Sequence, residues 1–298
     1  MTGARTVGLV VHPGRPGATA RAVDVAAALR IAGVETVVDA SDDPSGALAG
    51  IGTAHGSLAD RELELIIVFG GDGTLLRAAE SGYGRSIPLL GVNLGHVGFL
   101  AEADVDAIPV VVDAVVSRSF TVEARMSLSV SCEYTDGSTW KSWALNEVSV
   151  ERAGGPRVID LGLAVDGEHL SRYGADGIVC STATGSTAYA FSAGGPVVWP
   201  EVQAICVVPV SAHGLFSRPL VVAPDSAVTI DVLSESAAML WADGRRGTPL
   251  GRGARICVSR SATDVHFARI HRAAFTRRLV GKFQLPVSGW RGHGDSAD

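Results

Sequence analysis

Charge is scarce in this 298-residue chain. Asp, Glu, Lys and Arg make up 19% of it and balance to −6, so no basic field marks it for nucleic acid or an anionic membrane. Long apolar runs are missing too. The stretch 108–116 is broken by Asp113, and a bilayer span needs about 20 apolar residues. Only four cysteines occur (Cys132, Cys180, Cys206, Cys257), far apart and without C-x-x-C. That argues against a zinc site or a disulfide framework and for reduced thiols in a cytoplasmic protein. Nothing ahead of the strand-like Thr6-Val7-Gly8-Leu9-Val10-Val11 reads as a secretory signal. The Walker loop G-x-x-x-x-G-K-[ST] and the protein-kinase catalytic-loop set are both absent, and there is no internal repeat. With 47% hydrophobic residues, the chain is long enough for a real core in one large domain or two medium ones.

Glycine, by contrast, is plentiful at 36 residues, and its most informative cluster is Gly70-Gly71-Asp72-Gly73. The apolar run Leu63-Glu64-Leu65-Ile66-Ile67-Val68-Phe69 precedes it and Thr74-Leu75-Leu76-Arg77-Ala78-Ala79-Glu80 follows. The pattern is strand, turn, helix, and such a turn offers bare backbone N–H groups at a helix N-terminus, which suits phosphate. An aspartate there would repel phosphate, unless it takes the proton of a hydroxyl attacking that phosphate. The plainer alternative is a tight turn with a helix-capping Asp.

Over the first hundred residues strand and helix alternate. Strands are expected at 6–11, 34–40, 63–69 and 87–92, and helices at 18–32, closed by Gly33, and at 74–81. The polar stretch 41–60 reads as a short helix or a mobile loop, and another helix is expected near 104–117. This predicts an open, mostly parallel sheet with helices on both faces, its ligands beyond the carboxyl ends of the strands, where the GGDG turn and residues 93–99 would lie. From 120 to about 261 short period-two runs are punctuated by Asp136-Gly137, Asp166-Gly167 and Asp243-Gly244, the pattern of antiparallel β structure with one short helix at 187–193. The tail, 273–280, is helical again. Its basic cluster, Arg269, Arg272, Arg277, Arg278 and Lys282, reads most simply as a solvated helix face. Domain limits are expected at 1–119, 120–262 and 263–298, the last segment returning to the first domain.

Three further constellations stand out. Ser181-Thr182-Ala183-Thr184-Gly185-Ser186-Thr187-Ala188-Tyr189 joins a strand to a helix and supplies hydroxyl and N–H donors, either for a ligand or simply for an N-cap. Asn146-Glu147 interrupts an apolar run, as a polar pair at a cavity wall would. Asp176 lies between Gly174 and Gly177, which permit close approach. His213 and His12 read as ordinary loop histidines as readily as functional ones.

Together these segments resemble the NAD kinase family, which phosphorylates NAD to NADP. The resemblance covers nearly the whole chain. It rests on Gly70-Gly71-Asp72-Gly73-Thr74, on Asn93-Leu94-Gly95-His96-Val97-Gly98-Phe99-Leu100, on Leu145-Asn146-Glu147, and on Asp176-Gly177 through Thr184-Gly185-Ser186-Thr187-Ala188-Tyr189 to Gly194-Gly195-Pro196. It implies a Rossmann-like N-terminal domain, an antiparallel β-sandwich domain, an active site between them, and a homodimer or homotetramer. By this resemblance Asp72 is the general base on the 2′-hydroxyl of the adenosine ribose, and Gly70, Gly71 and Gly73 hold phosphate. Asn146 and Glu147 hydrogen-bond NAD, and Thr187, Ala188, Tyr189 and Ser192 line its pocket. Phe99 packs near the adenine, Arg77 and Arg157 contact ligand, and Asp176 reaches a neighbour's site. The donor would be ATP or polyphosphate, with a divalent cation (Mg²⁺) carried by phosphate oxygens and no protein metal ligands assigned. Ala183 stands where the family usually has proline, Gly174 where many relatives carry a basic residue, and Arg245-Arg246 is less general. Lipid kinases of the diacylglycerol or sphingosine type share the GGDGT turn, but Asn146-Glu147, the 184–189 loop and the lack of a membrane-binding patch argue against them. A non-catalytic dinucleotide sensor has no use for a carboxylate beside phosphate.

Overall fold

A run such as Leu65-Ile66-Ile67-Val68-Phe69 has no polar face, so it is at home only in a sheet covered on both sides. The computed structural model describes residues 5–93, 98–100, 108–154, 158–214, 216–270 and 274–287, and these fall into two units, Met1–Glu123 with His266–Asp298, and Ala124–Val265. The first unit opens with β1 (Thr6–Val11), α1 (Pro16–Ile31), β2 (Glu35–Val38), β3 (Ala54–His55), β4 (Leu65–Phe69), α2 (Asp72–Gly82), β5 (Leu89–Val92), α3 (Ile108–Ser117) and β6 (Thr121–Arg125). Its first five strands pair in parallel in the order β3-β2-β1-β4-β5. Strand order reverses between β1 and β4, and ligands of open sheets bind beyond the carboxyl ends at such a point. The GGDG turn follows β4 there. Leu9, Val11, Ile67, Phe69 and Val92 pack with Val25 and Leu29 of α1 and Val111 and Val115 of α3 in one core.

The stretch after β2 is neither a helix nor a plain loop. It forms 3-10 turns at Ala40–Asp42, Ala49–Ile51 and Leu58–Asp60 around the edge strand β3. Buried Asp43 organises it, since one carboxylate oxygen accepts the N–H groups of Leu48 (3.1 Å) and Ala49 (3.0 Å) and meets His55 Nε2 at 3.0 Å. Burial acts to raise the pKa of Asp43, but these partners outweigh it and the net shift is downward.

The second unit contains β7 (Leu128–Glu133), β8 (Thr139–Ala144), β9 (Glu147–Arg152), β10 (Ile159–Val165), β11 (Glu168–Ala175), β12 (Gly177–Ser181), α4 (Tyr189–Ser192), β13 (Ile205–Val210), β14 (Leu220–Val222), β15 (Val228–Val232), β16 (Ala238–Ala242), β17 (Arg246–Leu250) and β18 (Arg255–Arg260). Two six-stranded antiparallel sheets result, β11-β10-β15-β18-β7-β8 and β14-β13-β12-β9-β16-β17. Alternation along β15 and β16 turns every second side chain inward. Leu161, Ile230 and Ile256 of one sheet thus share a core with Val150, Ile178 and Leu240 of the other, as a sandwich requires. Asp166-Gly167 joins β10 to β11 with φ of +53° and +84°, the left-handed pair that a two-residue hairpin turn demands.

The chain then returns to the first unit with β19 (Val265–Arg269), which lies between β5 and β6, and α5 (Phe275–Phe283). The expected fold class, a Rossmann-like parallel sheet followed by an antiparallel sandwich with the tail back on the first unit, is the one observed. Helix limits differ: α2 begins at Asp72 rather than Thr74, and the short helix of the second unit is only Tyr189–Ser192, led in by a 3-10 turn at Gly185–Thr187. Among the described residues no helix is long and apolar enough to cross a membrane.

Tyr173 is fully buried in the sandwich, and its hydroxyl has no hydrogen-bond partner among the described residues. An unpaired buried hydroxyl costs about 1–3 kcal/mol. Tyr173→Phe is therefore expected to raise the free energy of unfolding in denaturant by about 1 kcal/mol, and a loss of that size would contradict the reading.

Candidate active site

The turn after β4 turns directly into helix. Gly71 is the N-cap and makes no side-chain cap bond, and Asp72 is the first helical residue. Gly70 is constrained by packing, because a Cβ there would run into the Thr74 side chain. Gly71 and Gly73 are not, since a Cβ at either meets nothing within 4 Å and neither has a positive φ. The fold does not demand glycine at these two positions. What glycine leaves there is room for a ligand to approach the N–H groups of Asp72 and Gly73 at the helix start, whereas the Thr74 N–H already bonds the Gly71 carbonyl at 2.9 Å.

Asp72 does not cap its own helix. Its carboxylate reaches across to the segment after β5, where Oδ2 accepts the Phe99 N–H and Oδ1 the Leu100 N–H, both at 3.1 Å. The segment lies so close that a Cβ on Gly98 would sit 2.6 Å from Oδ1. Half of the four acceptor sites of the carboxylate are thereby used, and the rest stay available to an incoming hydroxyl. Residues 94–97 of the Asn93–Leu100 motif lie outside the described residues.

Arg77, one turn along α2, is engaged within the fold. Its guanidinium forks buried Asp42 at 2.6 and 3.0 Å and donates to the Val11 carbonyl at 2.9 Å, while Asp42 accepts the Val11 N–H at 3.1 Å. This pins α2 to the carboxyl end of β1. The ring of Phe99 is also engaged, with centroids 5.9 Å from Phe275 and 5.8 Å from Phe283 of α5.

In the second unit the structure joins two sequence motifs. Glu147 at the start of β9 pairs with Ser181 at the end of β12. The 3-10 turn that follows is seated on the Asn146 peptide, where a Cβ on Gly185 would clash with the Asn146 backbone. Thr182 ties the two together, donating its hydroxyl to the Leu145 carbonyl at 2.6 Å and accepting the Gly185 N–H at 3.1 Å. The Ser186 hydroxyl donates to Ala183 O at 2.7 Å and accepts the Val198 N–H at 2.9 Å. Neither Thr182 nor Ser186 is a helix cap.

Asp243 is the organiser that the sequence reading took only for half of a turn. Its buried carboxylate accepts the N–H groups of Leu145 (3.0 Å) and Asn146 (2.7 Å) and pairs with Arg246 at 2.9 Å. Arg246 in turn lies 4.6 Å over the Trp143 ring. Glu147 is nearly as buried. Burial and then the Asp243 charge push its pKa up to about 8, against the Tyr189 N–H. Burial pushes Asp243 up as well, opposed by the Leu145 and Asn146 N–H groups and Arg246. Near neutral pH Glu147 is thus mostly a neutral acid, able to donate a hydrogen bond.

Beside it lies a pocket of about 480 Å³ lined by Glu151, Arg152, Ala153, Gly154, Asp176, Tyr189 and Val210. Tyr189 and Asp176 therefore line the same pocket, and Arg152 meets Asp176 at 2.7 Å. Burial, and then the charges of Glu151, Asp176 and Glu147, raise the Tyr189 phenol. Glu151 was missed by sequence reasoning, although alternation from Glu147 through Ser149 puts it on the same strand face. Thr187 and Ala188 complete the 3-10 turn and its exit, the Ala188 N–H bonding Gly185 O at 2.9 Å, and Ser192 is exposed at the end of α4. Arg157 lies outside the described residues.

Residues 7–120 match the model of the ATP-NAD kinase N-terminal domain, and residues 145–270 that of the C-terminal domain. The chain belongs to the ATP-NAD kinase family. NAD kinase 2 of Streptomyces coelicolor is 50% identical over 293 residues, covering 97% of each chain. The NAD kinase of Thermobifida fusca is 49% identical, covering 99% of this chain and 94% of its own. Among solved structures, yeast NADH kinase complexed with NADH matches with a TM-score of 0.89 at 25% identity, over 97% of this chain and 90% of that one. An Archaeoglobus fulgidus NAD kinase in complex with ATP matches with 0.73 at 27%, over 94% and 98%.

In this NAD kinase family member the state of Glu147 has a measurable consequence. Its pKa is about 8 in the fold and 4.5 ordinarily, so between those values the native protein keeps a proton that the unfolded chain has lost. The stability tied to the neutral acid is complete below the lower value and drains away as pH rises towards the upper one, by at most about 1.4 kcal/mol per pH unit. Glu147→Gln cannot ionise and removes the slope. Its stability relative to wild type in denaturant unfolding is expected to be higher at about pH 8 than at about pH 5, and an equal difference at both contradicts the assignment.

Proposed function

We propose that the protein is an ATP-dependent NAD kinase in which Asp72 is the general base. One observation carries the reading: a carboxylate held by two backbone N–H groups on the first turn of a helix, between Gly71 and Gly73, neither of which packing requires to be glycine. Asp72 takes the proton from the 2′-hydroxyl of the adenosine ribose of NAD as that oxygen bonds to the γ-phosphorus of ATP. The phosphorus–oxygen bond to ADP breaks, and NADP and ADP leave. Gly71 and Gly73 lend N–H groups and space to the phosphates. The Gly70 N–H is given to the Val92 carbonyl at 3.2 Å and Thr74 fills the space beside it, so Gly70 shapes the turn and does not hold phosphate through its N–H. Asn146 and Glu147 hydrogen-bond NAD, with Thr187, Ala188, Tyr189, Ser192 and Asp176 around it. Arg157 enters this set by its place in the motif alone. Arg77 and Phe99 contact the ligand, Phe99 near the adenine, while Arg77 also anchors α2 and Phe99 also seats its segment on α5.

A divalent cation, Mg²⁺ by the chemistry of phosphoryl donors, fits as a companion of the phosphates. Phosphate oxygens and water would be its ligands, and no protein ligand is assigned to it. When bound it would neutralise phosphate charge. Polyphosphate as alternative donor, a homodimer or homotetramer, and a cytoplasmic location complete the proposal.

The test is a coupled assay with NAD, ATP and Mg²⁺, in which NADP is read by an NADP-specific dehydrogenase, and then with polyphosphate in place of ATP. Wild type is expected to form NADP and Asp72→Asn to lose about 10²–10⁴-fold in turnover. Turnover within a few-fold of wild type in the variant would remove Asp72 as the base. Binding of NAD without any NADP formation would favour a sensor over an enzyme.

A further inference from the structure

One of the two peptides that hold Asp72, and the peptide that follows it, are themselves held by the last part of the chain. Arg278 on α5 donates Nη1 to the Phe99 carbonyl at 2.8 Å. Arg269 on β19 donates Nη1 to the Leu100 carbonyl at 3.0 Å. The expectation that these arginines form a solvated helix face is therefore corrected. Arg269 is a buried strand residue, ion-paired to Glu123 at 2.8 Å and 5.3 Å from the centroid of the Phe267 ring, and Arg278 is half-buried over the Phe99 segment.

The connectivity matters more than the proximity. The carbonyl of Phe99 and the N–H of Leu100 belong to one peptide group. An unbroken chain of hydrogen bonds therefore runs from the Arg278 guanidinium through that peptide to Oδ1 of Asp72. A cation on the carbonyl polarises the amide and strengthens the bond its N–H donates. The Phe99 ring, seated against Phe275 and Phe283, keeps the same segment from swinging away. All of these residues belong to the first unit.

We propose that Arg278 is a positioning residue for Asp72, acting through the Phe99–Leu100 peptide, so that α5 is part of the apparatus that orients the base. The proposal rests on Asp72 being that base. Displacing a catalytic group by a fraction of an ångström lowers turnover more than it weakens substrate binding.

The experiment is steady-state kinetics on Arg278→Met and Arg278→Lys, each in wild-type and Asp72→Asn backgrounds, with amide hydrogen exchange at Leu100. Arg278→Met is expected to lower kcat about tenfold with KM for NAD and ATP within about twofold. Arg278→Lys, which still offers a charged donor, recovers most of the loss. In the Asp72→Asn background Arg278→Met adds little, because there is no base left to orient. Unchanged kcat in Arg278→Met, an equal tenfold loss in both backgrounds, or no recovery with lysine would overturn the proposal. If Asp72→Asn alone keeps near-wild-type turnover, the base reading fails instead. The link is then decided by exchange: Arg278→Met must speed it at Leu100, and unchanged protection would refute the link by itself.

Discussion

Both oxygens of Asp72 are tied to the backbone of Phe99 and Leu100, and much of the first unit serves that pair of bonds. The parallel strands β4 and β5 end side by side, which brings the start of α2 and the segment after β5 within reach of each other. Arg77 and Asp42 fasten α2 to β1. Arg278, Arg269 and the aromatic ring contacts of Phe99 fasten the segment 98–100 to the tail. A carboxylate with two fixed donors has one orientation, which the proposed role of Asp72 as a base would use.

The second unit solves a related problem with opposite means. Asp243 is spent on backbone N–H groups and Arg246, which sets the corner carrying Asn146 and Glu147. Two carboxyl groups buried so close to each other do not both ionise readily, and Glu147 is the one left protonated to about pH 8. A neutral acid, a half-buried phenol and the ion pair of Arg152 with Asp176 make a polar wall that can both donate and accept. That mixture suits a polyhydroxylated ligand better than a simple anion.

The fold was largely legible, for reasons visible in single segments. Leu65–Phe69 has no polar face, so it had to be covered on both sides, and β15 and β16 alternate, so they had to form a one-sided sheet. The junction around Asp72 was legible too, because glycines between a buried run and a helix signal have few other uses. The partners of Asp72 were not. They lie 27 and 28 residues away and act through backbone N–H groups, which every non-proline residue possesses and no side-chain pattern betrays. The same holds for Arg269 and Arg278, whose acceptors are carbonyls, so that composition suggested only a charged surface. Asp243 was hidden differently, since Asp-Gly is so good a turn that nothing further was needed to account for it. The contacts of the Phe99 ring with Phe275 and Phe283 of α5 join residues 176 and 184 positions apart, which sequence spacing does not announce.

The most direct test of the central interaction is amide hydrogen exchange at Phe99 and Leu100 in wild type and in Asp72→Ala. If the carboxylate holds these two amides, they are protected in wild type and exchange at least about tenfold faster in the variant, while Ile67 and Val68 in β4 keep their protection. Equal exchange at Phe99 and Leu100 in the two proteins would mean that Asp72 is not held as described, and the account built on it would fail.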